Sequence, residues 1–404
     1  MTRCDDFPRG KQPHRRSEFP LPVPVTGAWL EGDPVGHRQF ANVGPLILES
    51  GLSLPDVTVA YETWGRLNDA GTNAILILHA LTGDSHVVGD AGDGHRSAGW
   101  WNDLVGPGKP IDTDKYFVVA PNVLGGCQGT TGPASLDPSG RRYGSRFPRV
   151  TVRDQVDAEI ALTTALGIGS WHLVIGGSMG GQRALEWALL GPAAGIGVDG
   201  IAVIASSAQF TGDQIAWSHP QLAAIRGDAH FRGGDYYDAP AGQGPHNGLG
   251  IARQIAHVTY RSAEELDTRF ARVPQGAEEP LHGGRFAVQS YLDHHASKLA
   301  YRFDANSYVT LTESMLSHDL GRDRGGVATA LRSIRTRALI VGVDSDRLFP
   351  LEASRTMARL IPAADPLRTI HSPYGHDGFL IEFDQLASIV KDFELSLEER
   401  TAPH

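Results

Sequence analysis

The chain lacks several things, and each absence excludes something. It has two cysteines, Cys4 and Cys127, in 404 residues. Two thiols build neither a disulfide scaffold nor a four-ligand zinc site. That economy suits a reducing compartment, and a cytoplasmic location is expected. No run of about 18 apolar residues occurs, so no membrane span is expected. The stretch MTRCDDFPRGKQPHRRSEFP has Arg and Lys but no apolar segment, and does not read as a secretory signal. Residues 1–40 are expected to form a weakly ordered extension. Basic charge is scarce too: 36 Lys and Arg against 46 Asp and Glu give a formal net charge of −10. Such diffuse acidity argues against nucleic-acid or anionic-membrane binding. A small anionic substrate needs only one local cation, so it stays open.

What is present reads as a large α/β unit. Hydrophobic residues make up 41% and charged residues 20%, enough apolar material for a sizeable core. The 48 glycines and 25 prolines fall in short clusters, as many turns require. Residues 56–62 alternate apolar and polar, as in a half-buried strand. Residues 73–79, 116–120, 171–176, 200–205 and 337–342 are short continuous apolar runs, which read as strands buried on both faces. Helical spacing occupies 152–166, 182–190 and about 378–393. Strands alternating with helices predict a mostly parallel, doubly wound sheet. Residues 212–330 break the rhythm. They contain helical patches at 249–260, 286–299 and 308–317 and no buried-strand run, and are read as a helical insertion. The sheet core is then assigned to 41–211 and 331–404.

Gly176-Gly177-Ser178-Met179-Gly180 is a G-x-S-x-G sequence placed directly after an apolar strand and before a helix. That context is what a nucleophile elbow requires. A serine hydroxyl needs an adjacent base, and on this architecture the acid and then the histidine follow in the chain. The loop Val343-Asp344-Ser345-Asp346-Arg347-Leu348-Phe349-Pro350 offers two acids. Asp346, four residues before Pro350, is preferred; Asp344 reads as a turn residue. The base falls on Ser372-Pro373-Tyr374-Gly375-His376-Asp377-Gly378-Phe379. His376 is favoured by its place before the last helix, and His371 reads as the end of a short strand. An oxyanion hole needs backbone N–H groups, which are assigned to Met179 and Leu81. The latter lies in His79-Ala80-Leu81-Thr82-Gly83, similar to the His-Gly loop of serine hydrolases with Ala80 in place of glycine.

Other patterns compete. His79 to Asp84 also fits the H-x-x-x-x-D of glycerolipid acyltransferases, but two fixed residues recur by chance. Asp293-His294-His295 diverge on a helix and make a poor metal site, so no metal is expected. Gly125-Gly126-Cys127-Gln128-Gly129-Thr130-Thr131-Gly132 lacks the G-K-[ST] ending of a phosphate loop and is read as a turn near the acyl pocket. Cys127 has no elbow setting.

Seven segments in order resemble the homoserine O-acetyltransferases of the α/β-hydrolase superfamily, from about residue 40 to 395. They are residues 59–65, 79–84, 122–129, 176–181, 252–253 with 256–261, 344–350 and 374–379. The resemblance implies an α/β-hydrolase fold with an inserted helical lid and a homodimer. It implies acetyl transfer from acetyl-CoA, as co-substrate rather than cofactor, to the L-homoserine hydroxyl through an acyl-serine, a step toward methionine. By position the triad is Ser178, Asp346 and His376. Arg253 and Asp377 correspond to the substrate-binding arginine and aspartate, and Tyr260 to a tyrosine near the substrate. Arg253 suits a carboxylate, and Asp377 an ammonium. The same scaffold also serves a homoserine or serine O-succinyltransferase, or a carboxylesterase with water as acceptor.

Overall fold

The computed structural model describes residues 22–401. Eight strands form one sheet: β1 (Gln39–Ile47), β2 (Ser53–Trp64), β3 (Ala74–Leu78), β4 (Phe117–Pro121), β5 (Ser170–Gly177), β6 (Gly197–Ile204), β7 (Arg337–Val343) and β8 (Arg368–Ile370). They lie side by side in the order β1-β2-β4-β3-β5-β6-β7-β8. β2 runs antiparallel to both neighbours, and all pairs from β4 to β8 are parallel. This is the doubly wound sheet of an α/β-hydrolase fold.

The continuous apolar runs are explained by helices on both faces. Along β3, Ile75 and Ile77 pack with Leu386, Val390 and Phe393 of α11 (Phe383–Thr401). Leu76 and Leu78 point the other way, toward Val156 of α1 (Val152–Ala165) and Leu185 and Trp187 of α2 (Met179–Ala193). Each fully buried aliphatic side chain contributes about 1.5–3 kcal/mol. Thr151 starts α1 with a reciprocal cap: its side chain accepts from Asp154 N, and the Asp154 carboxylate accepts from Thr151 N.

Between β6 and β7 lie α3 (Gly212–Gly227), α4 (His246–Tyr260), α5 (Ala263–Phe270), α6 (Ala287–Ala300), α7 (Ala305–Leu316) and α8 (Val327–Ser333). The first five build a cap, whose Leu222, Ile225, Tyr236, Leu249 and Tyr308 share one apolar cluster with Val123, Met179 and Phe349 of the core. α8 differs. Its Ala330 and Leu331 pack with Met357 of α9 (Leu351–Leu360) in the core beside the sheet, so an insertion ending at 330 cuts through a core helix.

Two elements depart from expectation. β1 was not visible because two bulges and Pro45 interrupt its alternation. Residues 22–40 are also held rather than loose. Thr26 Oγ1 donates to buried Asp304 (2.8 Å), Gly27 N donates to Phe303 O (3.1 Å) and Trp29 N to Cys127 O (2.9 Å). Residues 1–21, with Cys4, lie outside the described residues. No helix among the described residues is long and apolar enough to cross a membrane.

Candidate active site

β5 ends in Gly177, and α2 starts one residue after Ser178. Ser178 takes φ 58° and ψ −122°, a conformation that costs a non-glycine residue on the order of 1–3 kcal/mol. The turn is pinned by Ser178 N donating to Ile204 O (2.9 Å) and Ser206 Oγ donating to Ser178 O (2.7 Å). Close approach explains the flanking glycines. A Cβ at Gly180 would lie 2.0 Å from Leu78 O, and one at Gly176 would lie 2.4 Å from the Gly180 carbonyl carbon. Met179 is the first residue of α2, so its N–H has no intrahelical acceptor.

The loop after β7 and the loop before a short helix α10 (Gly378–Ile381) bring the next two groups together. His376 Nδ1 lies 2.7 Å from Asp346 Oδ2. Asp346 Oδ1 accepts from Leu348 N and Phe349 N, both at 2.8 Å, which fixes the carboxylate. Burial pulls the His376 imidazolium pKa down, but the adjoining Asp346 carboxylate outweighs it and leaves the pKa above the ordinary value. Phe349 stacks on the ring and Phe379 meets it edge-on. Nδ1 is thereby committed to the acid, and Nε2, on the other side of the ring, is left for the cavity. Asp344 pairs with the exposed His371 instead (2.8 Å).

Ser178 and His376 line one cavity of about 370 Å³ between the strand ends and cap helices α4 and α6. Leu81 lies in its wall, on a loop set by His79. With Nδ1 donating to Ala80 O (2.8 Å), His79 Nε2 accepts from Val123 N (3.1 Å), which fixes the tautomer. Burial first, and nearby Arg183 second, lower the His79 pKa to about 3, so it stays neutral. Arg183, paired with Glu159 (2.5 Å), donates to His79 O (2.5 Å). Both His79 nitrogens are occupied, so the residue positions the loop and is not a free base. This removes the H-x-x-x-x-D reading.

The cap contributes Arg253, Tyr260 and neighbours to the same cavity. Arg253 Nη1 donates to Thr82 Oγ1 (3.2 Å), its guanidinium lies 5.6 Å from the Tyr260 ring centre, and its buried Nε has no partner. No carboxylate among the described residues pairs with it. Asp377 is different from expectation: Arg261 Nε already sits 3.3 Å from its Oδ2. Burial nonetheless dominates and raises the Asp377 pKa. Arg261 was missed as a site residue, since nothing local marks a pairing across 116 positions.

The remaining sequence candidates fall outside the cavity chemistry. Cys127 is buried, which pushes its thiol pKa far up. The Gly125–Gly132 stretch contributes nothing to the cavity wall; Gly129 packs on Ala60 and Phe40 instead. Asp293 bonds Arg285 and Gln254 while His295 turns into the cavity, so the two diverge. A cluster the sequence did not reveal is Glu62, His86 and His95, whose donor atoms lie within 4.8 Å of one another. Its lone pairs are largely engaged. His86 faces acceptors on both sides, Glu62 Oε2 (3.0 Å) and Asp90 O (3.1 Å), and His95 Nε2 accepts from His37 N (3.0 Å). Such a set reads as a buried ion pair beside a neutral, stacked imidazole rather than a metal seat.

With this geometry in hand, the relatives are informative. A family profile described as alpha/beta hydrolase fold matches residues 73–383. A protein of Thermobifida fusca named homoserine O-acetyltransferase is 59% identical over 372 residues, covering 92% of this chain and 97% of that protein. The crystal structure of a homoserine O-acetyltransferase from Bacillus anthracis superposes with a TM-score of 0.80 at 26% identity, over 88% of this chain and 97% of that one. Esterase E22 superposes with a TM-score of 0.79 at 26% identity, over 88% and 99%. The chain is therefore a member of the homoserine O-acetyltransferase family, enzymes built on the α/β-hydrolase fold.

Proposed function

We propose that the protein moves an acetyl group from acetyl-CoA to the hydroxyl of L-homoserine through an acyl-Ser178 intermediate. The observation that carries this reading is Arg253, a cation in the roof of the serine's cavity with no carboxylate partner among the described residues. An esterase acting on a neutral ester has no use for it; an amino-acid acceptor does.

In the first half-reaction His376 Nε2 takes the proton from Ser178 Oγ as the oxygen attacks the thioester carbonyl. The tetrahedral oxyanion is met by the N–H groups of Met179 and Leu81. Collapse breaks the C–S bond, and His376 returns the proton to the leaving sulfur. In the second half-reaction His376 deprotonates the homoserine hydroxyl, which attacks the acetyl carbonyl; Ser178 Oγ leaves with the proton. Asp346 holds the imidazole and stabilises its cation throughout. Arg253 takes the acceptor's carboxylate. The Asp377 oxygen not engaged with Arg261 takes the ammonium, and Tyr260 packs beside them. The chemistry uses acetyl-CoA as a substrate and calls for no resident cofactor or metal. A cytoplasmic homodimer serving methionine biosynthesis fits the family.

Esterase E22 supports a second reading, in which water takes the acetyl group. Thiol release from acetyl-CoA and succinyl-CoA, with homoserine, serine or no acceptor, separates the cases. The proposal expects release dependent on both acetyl-CoA and homoserine, with acetylhomoserine as product. Acceptor-independent release with free acetate would support the esterase, and preference for succinyl-CoA would reassign the donor.

A further inference from the structure

α4 presents two residues to the cavity one helical turn apart, Arg253 and His257. His257 is 3% exposed, and its Nε2 has no hydrogen-bond partner; the same is true of Arg253 Nε. A buried polar group left unsatisfied is destabilising, and two of them stand on one helix face in residues that line the cavity.

The protonation of His257 follows from its surroundings. Nδ1 lies 3.4 Å from the Tyr291 hydroxyl. With the Tyr291 hydroxyl donating to it, Nδ1 is the acceptor of the ring. The ring proton is then on Nε2, making it a donor. Burial first, then the charges of Arg253, His295 and Arg261, hold the imidazole neutral by lowering its pKa far below the ordinary value. The His295 ring at 3.9 Å and the Tyr260 and Tyr291 rings fix its tilt. The two carboxylates of the cavity are already engaged, Asp84 with Arg302 (3.5 Å) and Asp377 with Arg261 (3.3 Å). An incoming carboxylate is the acceptor these donors lack.

We infer that His257 Nε2–H and Arg253 Nε–H together seat the α-carboxylate of the acceptor amino acid, which makes His257 a specificity-determining residue. This rests on the acceptor being homoserine, as proposed above. The test compares homoserine with aminopropanol, which is homoserine without its carboxylate, as acceptors for wild type, His257→Phe and His257→Gln. Phe keeps the ring packing and loses the donor; Gln keeps a donor near Nε2. The expected result is a fall of roughly ten- to a hundredfold in the homoserine-to-aminopropanol ratio of kcat/KM for His257→Phe, carried by KM. His257→Gln should regain part of it. Aminopropanol turnover reports that each variant is folded and catalytically intact. An unchanged ratio in His257→Phe overturns the inference, as does a loss in kcat alone shared equally by both acceptors and both variants. Wild type that releases acetate and never acetylates homoserine overturns the proposed function itself, and the carboxylate seat with it.

Discussion

Asp344 and Asp346 stand two residues apart in the loop after β7, and each binds a different histidine. Asp346 reaches His376 in the buried cavity wall at 2.7 Å, and Asp344 reaches His371 at 2.8 Å, where the imidazole is 77% exposed. The two pairs look alike in length and differ in surroundings. Asp346→Asn is expected to lower kcat/KM by about 10⁴, the cost of the same loss in another serine triad. Asp344→Asn is expected to leave it within severalfold, because a solvent-exposed pair contributes little. A larger loss for Asp344→Asn would reverse the assignment.

Ser178→Ala should abolish transfer while the protein stays folded. Intact mass after exposure to acetyl-CoA alone is expected to show one acetyl adduct on wild type and none on the variant. Alanine keeps the strain at φ 58°, whereas glycine relieves it. Ser178→Gly, equally inactive, should therefore melt at a higher temperature than Ser178→Ala. A sequential kinetic pattern with no adduct on wild type would remove the acyl-serine route.

Arg253→Ala should raise the homoserine requirement steeply, by the roughly 2–5 kcal/mol that truncating one side of a desolvated charge pair costs. The acyl-enzyme burst should keep its amplitude. Its rate should drop modestly, since the lost Nη1 bond to Thr82 steadied the residue next to Leu81. More acetyl should be lost as free acetate, read as the ratio of acetate to acetylhomoserine. Unchanged homoserine dependence would place the acceptor site elsewhere.

The pH profile follows from the direction of the His376 shift. The base works only when unprotonated, and its pKa is raised. Activity should fall on the acid side through a limb displaced upward from the ordinary imidazole value of about 6.5. Burial alone would lower that pKa; the Asp346 carboxylate is what raises it. In Asp346→Asn the residual activity should therefore show its acid limb at lower pH than wild type. A limb that stays in place would mean that another group sets it.

Glu394 on α11 is buried, which pushes its pKa up to about 8, with Glu398 adding to the effect. A carboxyl whose pKa is higher folded than unfolded contributes most stability below its unfolded value, about 4.3, and loses it as pH rises through the folded value. Glu394→Gln, which cannot ionise, should raise the melting temperature at pH 9 more than at pH 5. Equal shifts at both would show that Glu394 is not the group titrating.

What could be read from the sequence was local. β3, β5 and α1 announced themselves because strands buried on both faces must be continuously apolar and because α1 repeats its apolar residues at helical spacing. The elbow was legible for the same reason: strand, glycines, serine and helix lie within a few residues. α3 escaped notice because it contains Pro220 and no clear apolar stripe. The charge networks left no trace at all. Arg183 with Glu159, Glu62 with His86, and Arg261 with Asp377 join residues that only the fold brings near. For Asp377 this mattered, because the sequence supplied its identity and not the cation already beside it.

The ties of residues 26–29 bear on how substrates come and go. Thr26 and Gly27 are bonded to Asp304 and Phe303 at the root of α7, and two residues later Trp29 is bonded to Cys127 in the loop after β4. A few residues of chain thus stitch cap to core, in addition to the cap's own two connections to β6 and β7. The same Asp304 also accepts from Tyr236 and Tyr237, so the stitch is anchored to several parts of the cap at once. Swinging the cap away on its connections would tear these bonds on every turnover. Substrates are instead expected to reach Ser178 with the cap seated.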